Sequence, residues 1–202
     1  RSQDLDPDLR RYSLRRIERI IAVSRVTAHD LVEWYDIAPG RISVIYEGID
    51  DVFGPVAAER VAAVGARYGL PADYILHVGS ISPKKNLSTL ARAYGRLVES
   101  GTFAGPLVLV GRSYWPEGDA ELDACVRGMT QGGRIIRTGA VPQEDLPALY
   151  AGCSVFAFPS LHEGFGLVPL EAMACGAPVV ASKVGALPEV IGEVAVFVEQ
   201  PT

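Results

Sequence analysis

The chain holds 202 residues, 49% of them hydrophobic, with a formal net charge of −5. That length fits one sizeable domain, or a domain with part of another, built on a packed core. Basic residues are scattered apart from Arg10–Arg19, which argues against a nucleic-acid-binding face, and no run approaches the ~18 apolar residues of a membrane span. No signal-peptide pattern and no initiator methionine open the chain, so the expectation is a fragment or a disordered lead-in. Cys125, Cys153 and Cys175 are odd in number and far apart, with no CxxC or HxxxH pair. They read as reduced thiols of a cytosolic protein, and no metal site is expected.

In chain order, LRRYSLRRIERI (9–20) predicts an amphipathic helix with a basic face, either solvated or touching an acidic membrane. IIAV (20–23) predicts a short buried strand, and Ser24 stands where a helix N-cap belongs. RISVIY (41–46) predicts a strand and EGIDDVFGP (47–55) a loop. From about residue 56 the rhythm becomes regular. Strands are expected at 74–79, 107–111, 134–139, 154–158, 178–182 and 194–198. Helices are expected at 57–68, 86–99, 119–128, 143–151, 169–175 and 186–191. Near-continuous apolar strands alternating with helices imply an α/β, Rossmann-like, doubly wound parallel sheet buried on both faces. Three strands end in glycine, at Gly79, Gly111 and Gly139. Each is open to a plain turn reading; together they favour a ligand crevice at the carboxyl ends of the strands.

Two stretches carry chemistry. In HVGSISPKKNLSTL (77–90), Lys84 and Lys85 precede Asn86, which reads as a helix N-cap. Ammonium groups beside a helix N-terminus suit an anion, although paired lysines on a solvated loop look the same in sequence. In HEGFGLVPLEAMACG (162–176), Glu163 falls on a loop and Glu171 near the first turn of the helix that Pro169 opens. Gly164 and Gly166 leave backbone N–H groups unobstructed. Two carboxylates flanking an anion site suit sugar hydroxyls, the logic of a sugar–diphosphate–nucleoside ligand. The alternative is that both merely complement the helix dipole. GxGxxG and GxxxxGK[ST] are absent, against dinucleotide and P-loop sites. His29 and His77 read as structural; His162, beside Glu163, is a candidate pocket residue. Arg112 is a candidate donor-side contact or a plain surface arginine.

HEGFGLVPLEAMACGAPVVAS resembles the E-x7-E stretch of retaining, nucleotide-sugar-dependent family-4 glycosyltransferases of GT-B fold. YILHVGSISPKKN, GAVPQEDLPALYAGCSVFAFPS and VGALPEVIG are similar to flanking motifs of that family, in the same order. The resemblance covers roughly 17–202. It implies that residues 1–47 are a remnant of an N-terminal acceptor domain, 48–55 a linker and 56–202 the C-terminal nucleotide-sugar-binding domain. It implies donor contacts from Gly79, Ser80, Lys84, Lys85, Val141, Glu163, Gly164, Phe165, Gly166, Leu167 and Glu171. Lys85 and Glu163 would serve catalysis, Lys85 at the leaving diphosphate and Glu163 at the donor sugar, not as a nucleophile. Glu171 would take the ribose, and the neighbourhood of Ala140 and Val141 the base. Many members carry arginine where this chain has Ser80; a branch with a small residue there carries a basic residue where this chain has Lys84.

The implied activity is metal-independent transfer of a hexose, from GDP-mannose or another nucleotide sugar, with retention of configuration and no cofactor. The implied partners are the missing acceptor domain, a glycan or lipid-linked acceptor, and no nucleic acid. The implied place is the cytoplasm, with peripheral contact at the inner face of the membrane through the 9–20 helix. A non-catalytic nucleotide-sugar-binding module and another GT-B enzyme, such as a sugar-nucleotide epimerase, stay open.

Overall fold

The computed structural model describes residues 14, 16–114, 116–127 and 133–199. Half of the basic helix expected at 9–20 lies outside them. The first described unit is small: strand β1 (Ile20–Ala22), helix α1 (Arg25–Tyr35) and strand β2 (Ile42–Val44). β1 and β2 pair in parallel, with Ile20 opposite Ile42. Ser24 caps α1 as the sequence implied, its hydroxyl accepting the Thr27 N–H at 3.0 Å. β1 is not buried throughout. Ala22 faces inward, and Ile21, one position back, is 66% exposed, because successive strand side chains point to opposite faces.

The main body is a six-stranded parallel sheet of β3 (Ile75–Val78), β4 (Leu107–Val110), β5 (Ile135–Gly139), β6 (Val155–Phe158), β7 (Val179–Ser182) and β8 (Val196–Val198). The helices are α2 (Ala58–Arg67), α3 (Leu87–Glu99), α4 (Pro116–Arg127), α5 (Leu146–Gly152), α6 (Leu167–Ala174) and α7 (Leu187–Ile191). Period-two alternation sends the strand residues into two cores. Ile75, Leu107, Leu109 and Ala157 join Leu87, Leu90, Ala91, Tyr94 and Leu122, on α3 and α4. Leu76, Val78, Val108, Val110, Phe156 and Phe158 join Leu149, Tyr150, Ala172 and Leu187, on α5, α6 and α7. α3 buries Leu87, Leu90, Ala91, Tyr94 and Gly95, the i, i+3, i+4, i+7, i+8 stripe of an amphipathic helix. The loop expected at 47–55 is not free, since Phe53 is buried and packs edge-on against Tyr150.

The expectation of burial on both faces fails at one margin. β8 is an edge strand, and Val196 on it is 64% exposed. Two helices also start earlier than expected, α4 at Pro116 and α6 at Leu167. Pro169 is therefore the third residue of α6, where it costs nothing, since the first turn's N–H groups have no helical partner.

The strand order is β5-β4-β3-β6-β7-β8. The chain builds outward from β3 to one edge, then returns to β6 on the other side of β3. That reversal leaves a crevice at the carboxyl ends of β3 and β6, where open α/β sheets bind ligands. The strand-end glycines serve this end of the sheet in different ways. Gly111 (φ 141°) is required by packing as well as by its backbone, because a Cβ there would sit 2.1 Å from the Gly79 carbonyl oxygen. A Cβ at Gly139 would meet nothing within 4 Å, so there glycine answers only to its left-handed backbone, φ 71°.

Candidate functional site

The loops that leave β3 and β6 meet over the crevice. The Leu161 N–H donates to the Lys84 carbonyl at 2.8 Å and ties one loop to the other. The β3 loop closes in a short 3-10 turn over Pro83–Lys85. Asn86 follows, but it is not the side-chain cap its position suggested. Its backbone is left-handed (φ 52°), it caps nothing, and its Nδ2 is buried without a protein partner. The left-handed turn reverses the chain so that Lys85 points back across β6.

There Lys85 Nζ donates to Glu163 Oε1 at 2.6 Å and stands 4.6 Å above the centre of the Phe158 ring. Lys84 Nζ lies 3.5 Å from Glu163 Oε2. The Lys85 and Glu163 side chains are only 14% and 11% exposed, whereas Lys84 is half exposed. Burial alone would push the Glu163 carboxyl up. The Lys85 hydrogen bond and charge, helped by Lys84, outweigh burial and hold it below its ordinary range. Glu163 is thus a carboxylate, with two cations against it. The Glu163 main chain is fixed as well: the Ala186 N–H donates to its carbonyl at 3.0 Å. Gly185 (φ 53°) permits that approach, since a Cβ there would meet the Glu163 oxygen at 2.3 Å.

Glu171 sits in the second turn of α6, one turn beyond the place expected for it. Its Oε2 accepts from the Tyr150 hydroxyl at 2.9 Å. Burial pushes its carboxyl up, and the Tyr150 hydroxyl offsets this only in part. A second-turn carboxylate is beyond the reach of the helix N-terminal dipole, so dipole complementation does not account for it.

The remaining expected residues divide. Gly79 and Ser80 stand at the mouth of β3, and Gly164, Phe165, Gly166 and Leu167 carry the chain from Glu163 into α6. Gly166 (φ 116°) is the N-cap residue, and a Cβ there would clash with Leu187 at 2.6 Å. Phe165 is buried and its ring lies 6.1 Å from that of Tyr46. Val141, just past β5, packs on the main core. Arg112 and His162 are exposed. His77 is fully buried. Its Nδ1–H donates to the Ala157 carbonyl at 3.0 Å, and burial first, then the Lys85 charge, lower its pKa to about 4. It is neutral and structural.

Two other features are set apart from the site. Asp145 is buried but bound by Arg67 at 2.7 Å and by the Tyr68 hydroxyl, a tether between α2 and the turn before α5. A cavity of about 620 Å³ between α2 and α5 opens beside Pro71–Tyr74, at the amino end of β3, and no charged side chain lines it. No group of three or more potential metal ligands occurs among the described residues.

Sequence reading missed four contributors. Ser24 and Thr27 donate to the Gly164 carbonyl at 2.7 and 3.1 Å. Glu189 accepts from the Arg25 N–H at 2.8 Å and from the Tyr46 hydroxyl at 2.7 Å. Ser24 was legible only as a cap, and nothing local marks the others.

The family described as "Glycosyl transferases group 1" matches residues 72–202, and "Glycosyltransferase Family 4" matches 2–53. The chain belongs to this glycosyltransferase family. It is 37% identical over 200 residues to the serotype-specific mannosyltransferase WbdA of Escherichia coli, an alignment covering 93% of this chain and 24% of WbdA. It is likewise 37% identical over 182 residues to the O-antigen chain mannosyltransferase B of Escherichia coli, covering 90% of this chain and 47% of that protein. This glycosyltransferase chain therefore spans under half the length of either relative. The structure of Anabaena Alr3699/HepE in complex with UDP and glucose superposes with a TM-score of 0.82 at 24% identity, over 98% of this chain and 55% of that one. At that identity the likeness speaks for the fold alone. No helix among the described residues is long and apolar enough to cross a membrane.

Proposed function

We propose that this chain is the donor-binding part of a retaining hexosyltransferase that takes a nucleoside diphosphate sugar and passes the hexose to a glycan or lipid-linked acceptor. The observation that carries the reading is the convergence of Lys84, Lys85 and Glu163, from residues 78 positions apart, at the strand-order reversal. A carboxylate against two ammonium groups is a site for a ligand with both anionic and hydroxyl parts. The diphosphate takes the lysines, and the freed Glu163 oxygens accept sugar hydroxyls. Glu171, one helix turn further along and held by Tyr150, accepts from the ribose.

In this reading catalysis is stabilisation of the charge that grows on the departing diphosphate. Lys85 is already partly desolvated and fixed over Phe158, so little reorganisation is needed as the glycosidic bond lengthens. Glu163 is a binding group. Its carboxylate is held by two lysines, which lowers its basicity and suits it poorly to nucleophilic attack. The mannosyltransferase relatives favour mannose as the transferred hexose.

A thermal-shift panel with GDP, UDP, ADP and NAD tests this. A ligand at about 100 times its dissociation constant adds ~2.7 kcal/mol of stability. The midpoint is expected to rise with one nucleoside diphosphate, GDP first, and the rise to vanish in Lys85→Ala. A rise with NAD alone sinks the proposal.

A further inference from the structure

The loop that carries Glu163 into α6 is held from two sides. From its own domain, Ala186 binds the Glu163 carbonyl. From the β1–α1–β2 unit, Ser24 and Thr27 bind the carbonyl of the next residue, Gly164. A carbonyl oxygen has two lone pairs, and here each has its own hydroxyl donor. Ser24 is fully buried, and its Oγ also accepts the Thr27 N–H, so that hydroxyl is committed in both directions.

The grip is reciprocal. Glu189 on α7 returns to the start of α1: Oε1 accepts from Arg25 N–H at 2.8 Å and Oε2 from Val26 N–H at 3.3 Å. Tyr46, just past β2, donates its hydroxyl to Glu189 Oε1 at 2.7 Å and sets its ring 6.1 Å from Phe165. Two segments of one small unit therefore engage both the 164–165 turn and the helix that follows β7. The sequence separations of these hydrogen bonds run from 137 to 164 residues.

The geometry of a peptide unit gives this grip a consequence. In a trans peptide the C=O and the following N–H point to opposite sides. Pinning the Gly164 carbonyl against α1 therefore fixes the Phe165 N–H on the opposite face, and with it the entry of the chain into α6. A turn containing Gly164 and Gly166 has many other conformations open to it, so without the pin its N–H groups lose their common aim.

We propose that the N-terminal turn of α1 is a clasp that sets the pose of the donor loop. Ser24 and Thr27 are positioning residues for the 164–166 turn, and Glu189 with Tyr46 holds the two units together around it. The proposal rests on the donor-site reading. Its consequence is that ligand binding at the loop and seating of the β1–α1–β2 unit on the main body are thermodynamically linked, each favouring the other.

Two measurements on this chain test it. The first needs no ligand: amide hydrogen exchange of residues 163–167. In the Ser24→Ala/Thr27→Val double variant, exchange there is expected to quicken at least tenfold. Thr27→Val alone, which keeps the Ser24 cap and the side-chain shape, is expected to act in the same direction, and Thr27→Ser to restore the wild-type rate. Unchanged exchange in Thr27→Val and in the double variant overturns the clasp. The second is calorimetric titration with GDP and UDP. The dissociation constant of whichever binds is expected to rise about tenfold in the double variant and to return in Thr27→Ser. An unchanged dissociation constant overturns the positioning role even where exchange has quickened. If neither nucleotide binds the wild-type chain, the donor-site reading fails by itself, and exchange alone decides the clasp.

Discussion

The two glutamates of residues 163–171 share a residue type and little else. Glu163 is held at every level. Its carboxylate meets Lys85 at 2.6 Å, its carbonyl meets the Ala186 N–H, and a glycine beneath it leaves no room for a side chain. Glu171 rides on a helix and has one hydroxyl partner, Tyr150. The first is an ionised group whose neighbours outweigh its burial; the second is a group whose burial outweighs its neighbour. A site that must grip charge at one end and a neutral polyol at the other is built in this way. The charged end is over-determined and the hydroxyl-binding end is lightly held.

The sharpest way to break this contrast is to remove one cation. Lys85→Ala leaves the half-exposed Lys84, at 3.5 Å, as the cation facing Glu163. Breaking a mostly buried pair from one side is expected to cost about 4 kcal/mol, because an uncompensated charge stays behind. Lys85→Met with Glu163→Leu, which removes both charges, is expected to recover most of that stability while leaving nucleotide binding abolished. Urea unfolding of the two single variants and the double gives the coupling energy. A cost under about 1 kcal/mol for Lys85→Ala places the pair among ordinary surface ion pairs and removes the distinction between the two ends.

The next effect is steric. Gly185→Ala places a Cβ 2.3 Å from the Glu163 oxygen at a φ of 53°, so both the contact and the backbone conformation resist it. A loss of about 3 kcal/mol is expected. Gly176, just past the end of α6, has a φ of 84° but nothing within 4 Å of a built Cβ. Gly176→Ala is expected to cost only the conformational penalty, about 1 kcal/mol. Paired thermal unfolding checks the difference, and equal losses would mean that the Glu163 peptide moves aside cheaply.

How much of this could be read from the sequence depends on how far apart the partners lie. Strands β4 and β6 were legible because each is an unbroken apolar run with a glycine or proline at its exit, β3 because only His77 interrupts its run, and Ser24 was legible as a cap because its partner is three residues away. Lys85 and Glu163 could be singled out one at a time, by composition and by resemblance. Their ion pair could not, since it exists only because β6 lies beside β3, and strand order is a property of the whole chain. Asn86 shows the opposite failure: a good capping residue in a good capping position, overruled by a left-handed turn that aims Lys85 across the sheet. The contacts of Ser24 and Thr27 with Gly164 lie furthest from legibility, because a hydroxyl 140 residues from its acceptor leaves no local pattern.

The smallest effect is the one that separates the two glutamates by sign. An unfolded glutamate titrates near 4.3. Glu163 has its folded pKa depressed, so its contribution to stability is present above that pH and is lost as pH falls through the folded value. Glu171 has its folded pKa raised. Its contribution is complete below about 4.3 and is lost as pH rises through the folded value, so at neutral pH its charge opposes folding. Glu171→Gln keeps an acceptor for the Tyr150 hydroxyl and removes the charge. It is expected to raise stability at pH 7 by up to about 0.5 kcal/mol, the range of a change at a partly exposed site, and to bring no gain at pH 4. Glu163→Gln is expected to do the reverse, with a loss at pH 7 that shrinks on acidification. Unfolding free energies of both variants and the wild type, taken from pH 4 to 8, give the two slopes. Slopes of the same sign would mean that the two carboxylates share one electrostatic environment, and the division of the site into a charged end and a hydroxyl-binding end would not stand.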